Sequence, residues 1–292
     1  MDARTRQTAI DLYDRFTHGS MGRRAFMADM TKLAGGVAAA NALIASIAAS
    51  PAAAAIVPVD DPRLITKRGP LGQQQGALNG YIAVPRTAAG KKIGSVIVIH
   101  ENRGLNAHIE DVTRRVALAG YFAVAPDFLT PLGGTPTNED KAREEIGKLN
   151  LEESVASAVA LTDHLRTLDH ANGKVGAVGF CWGGAFVNRL AVAAGDKLDA
   201  GVSFYGSAPD PSQAARVKAP LLLLLAGLDQ RVNATALPWA EALKKSSHSV
   251  TAITYPDVNH AFHNDTSAER YNKAAADKAW GEAVGFFKRH LT

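Results

Sequence analysis

The sequence predicts an α/β fold: one mainly parallel β-sheet with helices packed on both faces. Short, almost wholly apolar runs recur along the chain, and amphipathic or Ala-rich stretches of helical period separate them. A tight Gly-x-Cys-x-Gly turn also joins one apolar run directly to a helical stretch. The size fits, because 292 residues with 47% hydrophobic and 21% charged side chains suit one large globular domain behind a targeting segment.

The glycine-rich stretch from Thr66 to Pro85 carries the strand signal Tyr81–Val84 and suggests an opening antiparallel hairpin. Ser95–His100 is the first run expected to be buried on both faces. Phe122–Ala125, Val175–Val178, Ala200–Phe204, Leu221–Ala226 and Val250–Tyr255 follow. The intervening helices are expected at Ile109–Ala119, Leu151–Leu168, Gly184–Ala194 and Pro238–Lys245, with a closing helix over Ala268–His290. Strand–helix alternation at this spacing gives parallel βαβ units, and parallel sheets gather reactive groups at the carboxyl ends of their strands. The residues just past each strand are therefore the site candidates: Glu101-Asn102-Arg103-Gly104, Asp127, Cys181, Tyr205, Asp229 and His260.

Composition narrows the function classes. The net charge of +4 is spread without a basic stripe, so no nucleic-acid partner is expected. A single cysteine excludes an intramolecular disulfide and a structural Cys-rich metal site.

The first 55 residues read as an export leader. Met21-Gly22-Arg23-Arg24-Ala25-Phe26-Met27 resembles a twin-arginine signal, and Leu33–Ala49 is uncharged and only mildly hydrophobic. Small residues at 52–55 offer a cleavage site. The twin-arginine export machinery is thus an expected partner, with a periplasmic or otherwise exported location and no stable membrane anchor. Residues 1–20 are helix-like, unusually long for such a leader, and have no role in this reading. Residues 56–70 are expected to be a linker and 71–292 the catalytic domain.

Gly179-Phe180-Cys181-Trp182-Gly183 is a nucleophile elbow with Cys in place of Ser. Such a turn holds its central residue in a strained conformation at a helix N-terminus, where the helix dipole favours a thiolate. The partners follow in the order expected of an α/β-hydrolase fold, acid then histidine, at Asp229 and His260, each just past a strand. His260 would take the thiol proton, and Asp229 would fix its tautomer. The competing reading of Asp229 is an N-cap of the next helix. His263 is expected outside the reacting set. The backbone N–H groups of Trp182 and Asn102 are the expected oxyanion hole.

With these residues in view, the chain resembles the dienelactone hydrolase (carboxymethylenebutenolidase-like) family. The elbow, Gly206, Gly227-x-Asp229, His100-Glu101, Gly104, Ala125-Pro126-Asp127 and Asn259-His260-x-Phe262 carry the likeness, which runs from about Thr66 to the end. It implies a single-domain carboxylic ester hydrolase that needs neither metal nor organic cofactor. It also implies a small ester or lactone substrate opened through a thioester acyl-enzyme, and a role for Glu101 in generating the thiolate. Dienelactone-cleaving members carry an Arg shortly after the catalytic His, but here the stretch reads His260-Ala261-Phe262-His263-Asn264. Arg103, Arg143 and Tyr205 are the candidates for gripping substrate instead, with residues 129–150 as a lid. The competing readings are a broader carboxylesterase or thioesterase, and a non-catalytic binding protein on the same scaffold.

Overall fold

A computed structural model describes residues 2–19, 21–48, 55–72, 77–246 and 249–292. Eight strands form one sheet in the order β1-β2-β4-β3-β5-β6-β7-β8. They are β1 (Leu64–Pro70), β2 (Asn79–Pro85), β3 (Ile93–Ile99), β4 (Phe122–Pro126), β5 (Ala171–Phe180), β6 (Ala200–Phe204), β7 (Leu221–Ala226) and β8 (Val250–Tyr255). Strands β1 and β2 pair antiparallel, as does β2 with β4, and all other neighbours are parallel. This is the α/β-hydrolase fold.

The parallel strands owe their apolar runs to burial on both faces. One face packs Val96, Val98, Val178 and Phe204 against helices α4 (Ala107–Leu118) and α9 (Lys273–Leu291). The other packs Ile97, Ile99, Ala177 and Leu223 against α6 (Leu151–Arg166), α7 (Trp182–Ala194) and α8 (Gln230–Lys245). The chain reverses its strand order between β3 and β5, which puts the β5–α7 turn at the middle of the sheet.

Among the boundaries that differ from those read in the sequence, three matter most. Residues 64–70, expected in a linker, form edge strand β1 in full register with β2. Helix α8 starts at Gln230, because Asp229 accepts from Val232 N and caps it, and Pro238 lies inside. Helix α9 starts at Lys273, capped by Asn272, because the residues before it turn back on themselves.

The N-terminal residues form a helical unit on top of this domain: α1 (Ala3–Thr17), α2 (Arg23–Ala34) and α3 (Val37–Ile47). They share a core of their own, with Ile10, Tyr13, Phe26, Met30, Leu43 and Ile47 buried together. A short helix, α5 (Glu139–Ile146), lies beside them in the segment expected to form a lid. The small residues 52–54 of the expected cleavage site lie outside the described residues, and Ala55 is exposed. Among the described residues no single helix is long and apolar enough to cross a membrane. Only α2 and α3 together pass that test, with a bend of 106° between them.

Candidate active site

Cys181 sits between β5 and α7 at φ 55°, ψ −113°, a left-handed backbone that only a tightly fixed turn sustains. The flanking glycines make the turn possible. A Cβ at Gly179 would lie 2.1 Å from the Gly183 carbonyl oxygen, and one at Gly183 would lie 2.3 Å from that of Ile99. Cys181 N donates to Phe204 O at 3.1 Å, tying the elbow to β6. The sulfur is thereby held at the N-terminus of α7.

Asp229 ends β7 and divides its two oxygens between two tasks. Oδ1 accepts from Val232 N at 3.1 Å to cap α8, and Oδ2 bonds His260 Nδ1 at 2.5 Å. One carboxylate thus caps α8 and contacts His260 at the same time. His260 lies on the loop after β8, buried, with Ala261 beyond it at φ 64°. Because the carboxylate only accepts, Nδ1 carries the hydrogen and Nε2 is left free. His260, Cys181 and His18 each bring one ligand atom within 4.8 Å of the others. A thiolate and two imidazoles form a donor set that zinc-like ions favour, so this is also where the chain could hold a metal.

Burial pushes the Cys181 thiol up, but the charges of His260 and then His18 outweigh it and hold it at about 5. Burial lowers His260, whereas the Cys181 thiolate and Asp229 raise it to about 10. Burial raises Asp229, and the His260 imidazolium brings it down to about 2. The three shifts agree in direction: between these limits the arrangement favours thiolate, imidazolium and carboxylate in one line.

His18, just past the end of α1, brings Nε2 to 3.3 Å from the Cys181 sulfur. Its ring stands edge-on to His260, with centroids 4.8 Å apart. The sequence reading missed it because it lies within the expected leader. The signal that could have found it is α1 itself. Asp2 caps that helix, and Ala9, Ile10, Leu12 and Tyr13 line up on one face, a stripe that a leader does not need.

A cavity of about 480 Å³ opens over the sulfur. It is lined by the guanidiniums of Arg143, Arg189 and Arg231 and by the rings of His18 and His260, and among the described residues no Asp or Glu lines it. Phe16, Ile146, Leu151 and Phe186 supply apolar wall. Arg231, two positions past Asp229, reaches to 3.4 Å from His260 Nδ1, and it too was missed in the sequence.

The other expected site residues separate. Asn102 and Trp182 both line the cavity, Trp182 stacked on His100 and the Asn102 amide donating to Thr17 O at 3.0 Å. Tyr205 also lines it, at φ 38°, with its hydroxyl buried and unpartnered. Burial and the nearby charges of Glu101 and Cys181 keep that phenol neutral. Arg143 lines the cavity with its guanidinium 4.2 Å from the Phe16 ring centre. Arg103 does not reach it: the side chain is spent on Glu139 at 2.6 Å and on the Tyr13 hydroxyl. Glu101 is buried, one oxygen accepting from Asn264 Nδ2 at 2.8 Å and the other unpartnered. Asn264, in the stretch that lacks an Arg, thus holds Glu101. His263 is buried against Phe180, and burial together with Arg115 and His108 drops it to about 3, which keeps it out of acid–base work.

Comparison with known proteins identifies the family and agrees with the fold. Residues 78–291 match the model of the dienelactone hydrolase family. Candidate carboxymethylenebutenolidases of Escherichia coli O157:H7 and Methylorubrum extorquens are each 31% identical to the chain. The alignments cover 83% and 91% of it and 94% and 98% of those proteins. The crystal structure of a candidate dienelactone hydrolase from Klebsiella pneumoniae superposes with a TM-score of 0.68 at 23% identity, over 78% of this chain and 99% of that one. The chain is a hydrolase that belongs to the dienelactone hydrolase family.

Proposed function

We propose that the enzyme hydrolyses small carboxylic esters or lactones bearing an anionic group, with Cys181 as nucleophile, His260 as base and acid, and Asp229 as its orienting carboxylate. The observation that carries this reading is the 2.5 Å Asp229–His260 bond, which leaves the other ring nitrogen free for a thiol that its surroundings favour as thiolate.

The thiolate attacks the carbonyl carbon, forming a C–S bond while the carbonyl electrons move to oxygen. The backbone N–H groups of Trp182 and Asn102 receive that oxyanion. The C–O bond then breaks, and the departing alkoxide takes its proton from imidazolium. His260 next removes a proton from water, hydroxide attacks the thioester, and the carboxylic acid leaves as the thiolate reforms. The anionic part of the substrate is assigned to Arg143, Arg189 and Arg231, since three guanidiniums without a lining carboxylate favour a negative guest.

Two measurements test the reading. Rapid acid quench during turnover should leave an acyl mass increment on Cys181, and a Cys181→Ala enzyme should lose both adduct and turnover. A lactone and ester panel, each substrate with and without a carboxylate, should show selectivity for the charged members that Arg231→Gln reduces. Substantial esterase activity in Cys181→Ala would require a different nucleophile.

A further inference from the structure

The Cys-His-Asp line is chemically sufficient for ester hydrolysis, yet a fourth group touches the reacting atom. His18 Nε2 stands 3.3 Å from the sulfur, and its other nitrogen, Nδ1, is 2.7 Å from the Asp14 carbonyl oxygen. A carbonyl only accepts, so Nδ1 carries hydrogen and Nε2 turns a lone pair toward the thiol. That is the posture His260 adopts through Asp229, reached here through the backbone at the C-terminal end of α1. Negative carbonyl ends gather there, which suits a ring that gains positive charge.

The unit carrying His18 is anchored around the mouth of the site. Arg270, buried, makes an ion pair with Asp14 at 3.4 Å and lies over the Tyr13 ring. Ser267, fully buried, donates to Ile47 O at 2.6 Å. Gln7 donates to Asn259, the neighbour of His260, at 2.7 Å, and Asn102 holds the last residue of α1. Arg103 reaches from the domain to the Tyr13 hydroxyl. Removing the unit would strand buried polar groups on the domain and strip one wall from the cavity.

We propose that the N-terminal helical unit is a permanent wall of the active site and that His18 is a catalytic residue, a second imidazole on the Cys181 sulfur that shares in forming the thiolate. The proposal rests on Cys181 being the nucleophile. The thiol has one proton to give. Held between two rings, it becomes thiolate plus one imidazolium, and that imidazolium later delivers the same proton to the departing alkoxide. The titratable neighbours of the sulfur are His260 after β8, His18 after α1 and Tyr205 after β6, with Glu101 beside Tyr205 and Arg231 of α8 beside His260. Of these, His18 and His260 alone offer it a base.

The test uses the full-length chain, in which any alkylated cysteine is Cys181. Iodoacetamide labelling followed by intact mass across pH gives the inflection of the thiol in wild type, His18→Gln and His18→Ala. Both variants should raise that inflection by about one unit or more, a tenfold smaller thiolate fraction below it. Turnover of p-nitrophenyl acetate should fall about tenfold to a hundredfold, with an unchanged melting curve. Protein recovered from a host with twin-arginine export should still contain His18. An unmoved inflection with unmoved turnover would overturn the proposal, as would faster turnover in both variants, which would make the ring a plug. Recovery of a fully active enzyme beginning beyond residue 48 would also overturn it. A Cys181→Ala enzyme that retains activity would instead overturn the nucleophile assignment, so the two failures are distinguishable.

Discussion

The central sheet and the N-terminal helical unit are held together by different physics. The sheet is sandwiched between two continuous apolar layers, and every interior strand shares backbone hydrogen bonds with two neighbours. The helical unit has a small core of its own and is tied to the domain largely through side-chain hydrogen bonds and ion pairs. A junction of that kind fixes one unit against another through specific polar pairs, whereas the sheet and its helices share one core. The site thus takes Cys181, Asp229 and His260 from the rigid part. From the helical unit it takes His18 and the cavity wall around Phe16.

The largest expected effect lies on the rigid side. Asp229→Asn keeps an oxygen for Val232 N, so α8 should remain capped and the fold intact. The amide can present N–H to His260 Nδ1 and reverse the tautomer, which takes the base away from the sulfur. Turnover should drop by about 10⁴-fold, the scale known for a triad Asp→Asn in a serine protease. Stopped assays alongside circular dichroism check this, and a near-normal rate would mean that another group orients His260.

Export is the next contrast, and it concerns only the helical unit. We propose on the sequence pattern that Arg23-Arg24 addresses the chain to the twin-arginine machinery and that the segment is kept afterwards. Both arginines are exposed, and Arg23 makes only a surface pair with Asp140, so replacing both by Lys disturbs little packing. That variant should accumulate in the cytoplasm while keeping full activity in lysates. Unchanged fractionation would remove the export proposal and leave the active-site wall untouched.

Phe26 separates the two regions thermodynamically. It is buried in the helical unit, stacked on Phe16 with centroids 4.4 Å apart and edge-on to Tyr13. Phe26→Ala should cost about 3–5 kcal/mol locally, more than so small a core can absorb. Hydrogen exchange should accelerate throughout α1–α3 while β5 and β6 stay protected. Equal acceleration in β5 would mean that the two regions unfold as one.

The same division explains what was legible in the sequence. Strands buried on both faces must be apolar throughout, so β3, β5, β6 and β7 were written plainly, and the elbow glycines marked Cys181 because no side chain fits there. Asp229 and His260 followed from strand order. Edge strand β1 was legible only in part: the antiparallel hairpin read over Thr66–Pro85 is the β1–β2 pair, but its exposed mixture of Ile65, Lys67, Arg68 and Gly69 also passes for a linker. His18 was hidden for another reason. An Ala-rich, uncharged stretch such as α3 serves equally as a signal segment and as one side of a small helical core, and composition alone does not distinguish them. Arg103 was misassigned because its position after β3 says nothing of Tyr13 and Glu139, which come from distant parts of the chain.

The smallest expected effect, Glu101→Gln, sharpens the comparison because its sign opposes that of His18. Glu101 comes from the rigid domain and brings a negative charge to the Tyr205 side of the pocket, where Cys181 is also felt. Asn264 holds one carboxylate oxygen, and a glutamine oxygen can accept the same bond, so the substitution removes charge with little change of shape. A nearby negative charge disfavours a thiolate, so losing it should lower the alkylation inflection of Cys181 relative to wild type. Losing the His18 ring should raise it. Opposite displacements in the two single variants, with the double variant lying between them, would show two independent charges acting on one sulfur from two regions. A Glu101→Gln profile identical to wild type would mean that this carboxylate only braces Asn264 and that thiol activation rests on the two imidazoles.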